Sequence, residues 1–316
     1  MSRIVRRLRR NAKRVGDALV SAAVIGAIKA LRWIDPDRMA DFAGGSMRVI
    51  GPWLPENRIG RDNLVAAFPE KSATEISGIL EGVWDNLGRL GAEFANLDRI
   101  WHVDPEHPNR GRVSVDPANI QRFQQLANDG KPALIFGAHL ANWELPAIAG
   151  ATSKIDSAVL YRRPNIARID RWITETRGAL MGQLIPTDIN APLKLAEALA
   201  RGAHIGMLVD QYYLRGVPVT FFGQRTMANP LLARLARHFD CPIHGVRMIR
   251  LPGHRFRGEM TDAIKPARDA EGKIDIAGTM QIITSVVEEW IREYPEQWLW
   301  LHRRWRPEDQ KAGTSV

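Results

Sequence analysis

"PALIFGAHLANWE", residues 132–144, is the stretch on which the reading of the chain turns. Its first half is a short apolar run of the kind buried in a parallel sheet. Its second half sets a histidine, an asparagine, a tryptophan and a glutamate within six positions. A core strand would not take the polar groups, and a solvated loop would not take the tryptophan. The stretch therefore reads as strand, loop and helix start, with Asn142 able to cap a helix that begins at Trp143 or Glu144.

The same alternation continues outward. From residue 111, short β-rich runs ("PALIFG", "DSAVLYR", "GQLIPT", "HIGMLVD") alternate with helical stretches ("ANIQRFQQLANDG", "NIARIDRWITETRGALM", "APLKLAEALARG"). That pattern predicts an α/β fold with a largely parallel sheet. "PVTFFG", "IHGVRMIRL" and "RFRGEMTDAI" predict further strands and a hairpin, and a helix near 276–294 closes the unit. Upstream, residues 36–100 read as helices, one opened by Asp-Pro and one by a Ser or Thr cap. The organisation expected is a basic and apolar anchor at 1–35, a helical segment at 36–110, an α/β core at 111–306 and a flexible tail at 307–316. Ligands of such sheets bind beyond the carboxyl ends of the strands, where residues 137–144 fall.

Composition narrows the partners. The single cysteine, Cys241, rules out an intrachain disulfide and suits a reducing compartment. Against 35 acidic residues there are 44 Lys and Arg, a formal net charge of +9, which favours an anionic partner. Residues 1–16 hold seven basic side chains and no acidic one, and the apolar run "ALVSAAVIGAI" at 18–28 follows. That run is short of the about 20 residues a spanning helix needs. Arg3, Arg6, Arg7, Arg10, Arg14, Lys29 and Arg32 share one arc of a helix, which predicts a retained anchor on the cytoplasmic face of an anionic membrane, lying on it or crossing at a tilt. A secretory signal peptide would need a small-residue cleavage site, and "KALRWIDPDR" does not supply a clear one.

On a continuous helix His139 and Glu144 would lie about 140° apart and could not meet. With His139 in the loop and Glu144 in the first helical turn, the carboxylate can fold back to accept the imidazole N–H. The other ring nitrogen is then free to take a proton from a hydroxyl, the arrangement of a general base and its orienter. Further polar groups stand at later strand ends: Arg162 and Arg163 after "SAVLY", Asp210 and Gln211 after "IGMLV", with Arg177 near the end of the intervening helix. His238, Cys241 and His244 in "HFDCPIH" lack an evident fourth ligand for zinc. "GGSMR" at 44–48 misses the GxSxG pattern at its last position, His102 and His107 read as solvated, and no phosphate-cradling GxxxxGK[ST] or GxGxxG occurs. A histidine base without serine, cysteine or metal is suited to activating a substrate hydroxyl for direct attack on an activated acyl group.

The spacing from His139 to Glu144 resembles the HxxxxD/E box of the glycerolipid-type acyltransferase superfamily, and "HLANWE" resembles the form found in the lipid A late acyltransferases of Gram-negative bacteria, the lauroyl- and myristoyl-transferring kind. "YRRPN" at 161–165, "DQ" at 210–211, "GVPVTFFG" at 216–223 and "YPEQWLWLHRRWR" at 294–306 resemble the family's further blocks in its order; Ile166 stands where the family often has Asn. The resemblance covers residues 30–306 and implies a mixed sheet flanked by helices with N-terminal membrane-associated helices. It implies that His139 deprotonates the 3-hydroxyl of an acyl chain on a lipid A precursor, that Glu144 orients the imidazolium, and that the alkoxide attacks an acyl thioester on acyl carrier protein. Arg177 and Asp210 fall on the family's functional Arg and Asp; Gln211, Arg162, Arg163 and Asn142 complete the substrate-binding candidates. No cofactor, metal or nucleic acid is implied, and the expected location is the cytoplasmic face of the bacterial inner membrane. Lysophospholipid and mannosylated phosphoinositide are the alternative acceptors.

Overall fold

The computed structural model describes residues 32–104, 111–163 and 167–306, together with residue 26. The basic and apolar segment up to residue 31, apart from that residue, lies outside the described residues, as do His107, residues 164–166 and the tail from 307. Among the described residues no helix is long and apolar enough to cross a membrane.

Between residues 36 and 100 the described residues form four α-helices ahead of the sheet. α1 (Pro36–Ile50) starts where the Asp35 carboxylate accepts the N–H groups of Asp37 and Arg38, each at 3.1 Å. α2 (Pro55–Ala67) opens on a proline, which needs no N–H partner in the first turn. α3 (Ala73–Phe94) is closed at its start by a reciprocal capping box between Ser72 and Glu75. It packs along α1 at the point where Gly88 lets the backbone of Ala43 approach, and the short α4 (Leu97–Ile100) follows.

The α/β part runs β1 (Val113–Val115), α5 (Pro117–Asn128), β2 (Leu134–Gly137), α6 (Leu145–Thr152), β3 (Ser157–Tyr161), α7 (Ala167–Gly178), β4 (Gln183–Pro186), α8 (Ala191–Ala200), β5 (His204–Leu208), β6 (Val217–Phe221), β7 (Gln224–Ala228), α9 (Leu231–Phe239), β8 (Ile243–Leu251), β9 (Arg255–Met260) and α10 (Ile276–Glu293). Seven strands form one sheet in the order β1-β9-β8-β2-β5-β3-β4. Every neighbouring pair is parallel except the hairpin of β8 with β9. β6 and β7 make a separate hairpin against α10, where Gln281 accepts from the Thr220 N–H.

The strand register splits the side chains between two unlike faces. Leu134, Phe136, Ala158, Ile205, Met207 and Ile243 point to one side and enter the main core, packed with residues of α2, α3, α8, α9 and α10. Burial of a side chain of this size contributes about 1.5–3 kcal/mol, so this face fixes the register. The alternate residues, among them Ile135, Val159, Gly206 and Val246, face a cleft bounded on its far side by α5 and α6. The sheet is thus anchored on one face and left open to a ligand on the other.

One boundary differs from the sequence expectation. The helix after β2 begins at Leu145 rather than at Trp143 or Glu144, with Pro146 in its first turn. Asn142 accepts the Glu144 N–H at 3.2 Å in a local turn, while its amide points inward to Glu93 at 2.9 Å. The Asn142 oxygen thus still bonds an N–H two positions on, as the sequence suggested, but it closes a turn just ahead of the helix rather than the helix itself.

Candidate active site

The loop leaving β2 is pinned from below by the segment after α10. The Leu299 N–H donates to the His139 carbonyl at 3.0 Å, the Ala141 N–H donates to the Gln297 carbonyl at 2.8 Å, and Leu140 bridges to Trp298. Ala141 takes a left-handed conformation, φ 46°, one that L-residues adopt at a cost of about 1–2 kcal/mol. A buried polar network supplies the compensation. Arg250 donates to Glu93 with both terminal nitrogens and to Asn86 through Nε at 2.9 Å. Glu93 accepts from Asn142, and Asn86 donates to the Gln297 carbonyl at 3.2 Å. Arg250 and Gln297 exchange two further backbone-to-side-chain bonds. Helix α3, strand β8 and the turn at Pro295–Gln297 thereby hold one short loop.

On that scaffold the His139 ring turns toward β5. Its Nδ1 stands 2.8 Å from Asp210 Oδ1, and its backbone N–H donates to Asp210 Oδ2 at 2.8 Å. Trp298 Nε1–H donates to the same Oδ2 at 2.7 Å. Burial is the largest influence on the Asp210 carboxyl and pushes its pKa up, yet the His139 charge and these hydrogen bonds outweigh it, so the group is held well below the usual carboxylate range. An ionised acceptor at Nδ1 fixes the proton on that nitrogen and leaves Nε2 as the basic one. Nε2 lies 3.3 Å from the Gln211 side-chain amide, and Trp143 meets the ring edge-on with centroids 4.9 Å apart.

Glu144 has a different partner from the one its spacing suggested. Its two oxygens take Arg177 Nε at 2.8 Å and Nη2 at 2.5 Å in a paired fork, and the Arg177 guanidinium lies 5.5 Å over the Phe94 ring. The expectation that Glu144 accepts the imidazole N–H is therefore corrected: Asp210, 71 positions further along the chain, does so. The reason is topological. β2 and β5 are hydrogen-bonded neighbours, so their ends bring His139 and Asp210 together, while α7 carries Arg177 to the start of α6.

His139, Glu144, Arg177 and Gln211 all line the mouth of the cleft, whose volume is about 1990 Å³. Its walls along the sheet are chiefly apolar, from Val159, Leu208, Val246 and Met248, with Phe123 and Ala147 on the facing helices. A histidine held on a buried carboxylate beside a largely apolar groove suits a substrate with a reactive polar end and a hydrocarbon tail.

Comparison with known sequences places the chain in a family. The family described as bacterial lipid A biosynthesis acyltransferase matches residues 11–307. The chain belongs to that family. It is 25% identical over 256 residues to the lipid A biosynthesis palmitoleoyltransferase of Escherichia coli (strain K12), covering 78% of each chain, and equally similar to the lipid A biosynthesis acyltransferase of Shigella flexneri.

Among the other site candidates, Arg162 is exposed on the cleft wall and Arg163 is exposed beside it. Asn142 serves the buried network rather than the cleft, and Asp210 stands behind His139. The His238, Cys241 and His244 set does not converge: His238 packs on Phe239, and His244 Nδ1 lies 3.1 Å from the Thr261 carbonyl. Ser46 of "GGSMR" bonds the Phe42 carbonyl within α1. Sequence reasoning passed over Trp298, Glu93, Asn86, Arg250 and Gln297. The signal available was the block "YPEQWLWLHRRWR", which supplies both the indole on Asp210 and the clamp on the loop.

Proposed function

We propose that this chain transfers a fatty acyl group from acyl carrier protein to the 3-hydroxyl of an acyl chain on a lipid A precursor, at the cytoplasmic face of the bacterial inner membrane. The observation that carries the reading is His139, its Nδ1 on a buried ionised Asp210 and its Nε2 side at the mouth of an apolar cleft. Nε2 takes the hydroxyl proton as the oxygen attacks the thioester carbonyl. The tetrahedral centre collapses with loss of the carrier thiolate, which takes the proton back from the imidazolium. One C–O bond forms, one C–S bond breaks, and the proton returns to sulfur, leaving an acyloxyacyl ester.

The remaining residues divide the supporting work. Asp210 orients the imidazole and stabilises its charged form. Arg177, positioned by Glu144, supplies positive charge at the mouth for the developing oxyanion or for substrate phosphate. Arg162 and Arg163 offer further cations to a phosphorylated acceptor. A covalent relay is disfavoured at the one cysteine, since burial pushes the Cys241 thiol up to about 11. The excess of basic residues suits both an acidic carrier protein and an anionic lipid surface.

Mass spectrometry of lipid A from cells lacking the protein tests the reading. A missing secondary acyl chain, restored by the wild type and not by His139→Ala, is the expected result. Unchanged lipid A would overturn it. Acylation of a lysophospholipid by the purified chain, with none of a lipid A precursor, would move the assignment to the alternative acceptor.

A further inference from the structure

Away from the cleft, α1 and the short turn that follows it (Gly51–Trp53) present large apolar side chains to solvent. Phe42 is 77% exposed, Val49 69% and Trp53 87%. At about 100° per residue, Phe42 and Val49 fall within about 20° of each other on the helix, and Arg38 within about 40° of Phe42. Near the same line stand Gly45, which adds no side chain, and Ser46, whose hydroxyl is spent on the Phe42 carbonyl at 2.7 Å. The acidic residues of α1 are engaged elsewhere: Asp37 holds Arg112 and Asp41 holds Arg89, each at 2.7 Å. The result is an apolar stripe with a cation at its head, of the size at which exposed apolar surface marks a contact.

We propose that this face of α1 lies in the interfacial zone of an anionic bilayer, as a foothold additional to the anchor expected at 1–35. Phe42, Val49 and Trp53 seat among the upper acyl segments, and Arg38 reaches a lipid phosphate. Arg38 is exposed and makes no salt bridge among the described residues; Asp35 feels its charge without bonding it. A protein segment packed over the stripe would have to bring a carboxylate for Arg38, whereas a headgroup layer supplies anionic oxygen everywhere. The 31 residues before Arg32 hold eight basic side chains and one acidic one, Asp17, so they repel this face and share its attraction to anionic lipid. Trp33, next to them, is 94% exposed, and indoles favour the boundary between headgroup and hydrocarbon. Durable attachment takes two modest signals rather than one, and the uncharged run at 18–28 is a single short one.

The place of α1 gives the contact a use. His254, in the turn between β8 and β9, stands 3.4 Å from Asp41 and 3.8 Å from Asp37, so α1 begins at the carboxyl end of the sheet, the end that carries His139. A foothold there keeps the mouth of the cleft by the surface that holds a lipid acceptor. That use rests on the acyl-transfer reading; the contact with the bilayer does not.

A polarity-sensitive fluorophore on the full-length protein tests the proposal, attached at Trp53→Cys or, as a control at the opposite end of the sheet, at Glu271→Cys in the exposed turn before α10. The native Cys241 is buried and does not compete for the label. On adding vesicles of equal parts phosphatidylcholine and phosphatidylglycerol, emission from position 53 should shift to the blue and be quenched by brominated lipid, and emission from position 271 should do neither. Phe42→Ser combined with Val49→Ser should weaken vesicle binding by about tenfold. It should slow transfer to a precursor embedded in vesicles and leave transfer to the detergent-dispersed precursor unchanged. A label at position 53 that stays in water while the protein is bound, or a protein that does not bind, would overturn the proposal. So would a blue shift already complete without vesicles, which would show that another part of the chain or a second copy covers the face. If the contact forms but no precursor is acylated in either state, the transferase reading fails and the foothold stands.

Discussion

Two buried carboxylates flank the His139 end of the cleft, and they are held in contrasting ways. Asp210, at the end of β5, accepts from the His139 ring, the His139 backbone and the Trp298 indole. Glu144, only five positions from His139, is clamped among the described residues by Arg177. The carboxylate close in sequence positions a cation, and the one distant in sequence positions the His139 imidazole. Adjacency in a parallel sheet places strand ends side by side, whereas a turn into a helix carries neighbouring residues apart.

The sharpest way to break this contrast is Asp210→Asn. It removes the charge that stabilises the imidazolium and the acceptor that fixes the tautomer, and kcat should fall by about 10⁴ with little change in acceptor KM. If Glu144→Gln proved the more damaging of the two, the assignment of roles would be reversed. Next comes the support beneath both. Glu93→Ala strands Arg250 in the interior and should cost about 3–5 kcal/mol in urea unfolding, because an unpaired buried charge has no water to replace its partner. A loss below about 1 kcal/mol would mean that the network does not hold the loop.

Acid offers a third probe of the Asp210 corner. His302 packs against Trp298 and His139, at centroid distances of 5.6 and 6.4 Å, and burial pushes its imidazole down to about 4. Between the ordinary His pKa of about 6.5 and that value the unfolded chain binds the extra proton, so stability is full above about pH 6.5 and falls as pH drops toward about 4, by about 3 kcal/mol in all. His302→Asn should flatten that slope, as read from unfolding midpoints across the range; an unchanged slope would place the acid sensitivity elsewhere. Asp210 behaves differently. Its depressed pKa contributes stability above the unfolded value of about 3.9, lost only in stronger acid. At the Glu144 corner, Glu144→Gln should lower kcat by about 10²-fold through a misplaced Arg177, and Arg177→Lys should do the same because an ammonium cannot reproduce the fork. Smallest is Ala141→Gly, which relieves the left-handed backbone at the expense of unfolded-state entropy and should change thermal stability by less than about 1 kcal/mol.

Much of the fold could be read from local pattern. The alternating runs after residue 111 predict the strands, and the "LIF" and "IGML" runs lie in the hydrogen-bonded neighbours β2 and β5. The Asp35 and Ser72 signals mark the helix starts at Pro36 and Ala73. The order of strands in the sheet was not legible, since register depends on which face meets the core and not on any one run. That gap explains the misplaced orienter. His139, Asp210 and Gln211 were singled out individually as strand-end groups, but pairing His139 with Asp210 requires knowing that β2 lies beside β5. Asn142 was legible in part: its oxygen accepts an N–H at the turn before the helix, while the bond from its amide to the buried Glu93 of α3 depends on tertiary packing.

Single-turnover transfer with purified protein, acyl carrier protein loaded with a labelled fatty acid and a lipid A precursor tests the central claim most directly. The account predicts that the label moves to the precursor as an acyloxyacyl ester, and that His139→Ala slows this step by about 10²–10⁴ while still binding the loaded carrier. Transfer at an undiminished rate in His139→Ala, or no transfer by the wild type, would contradict it.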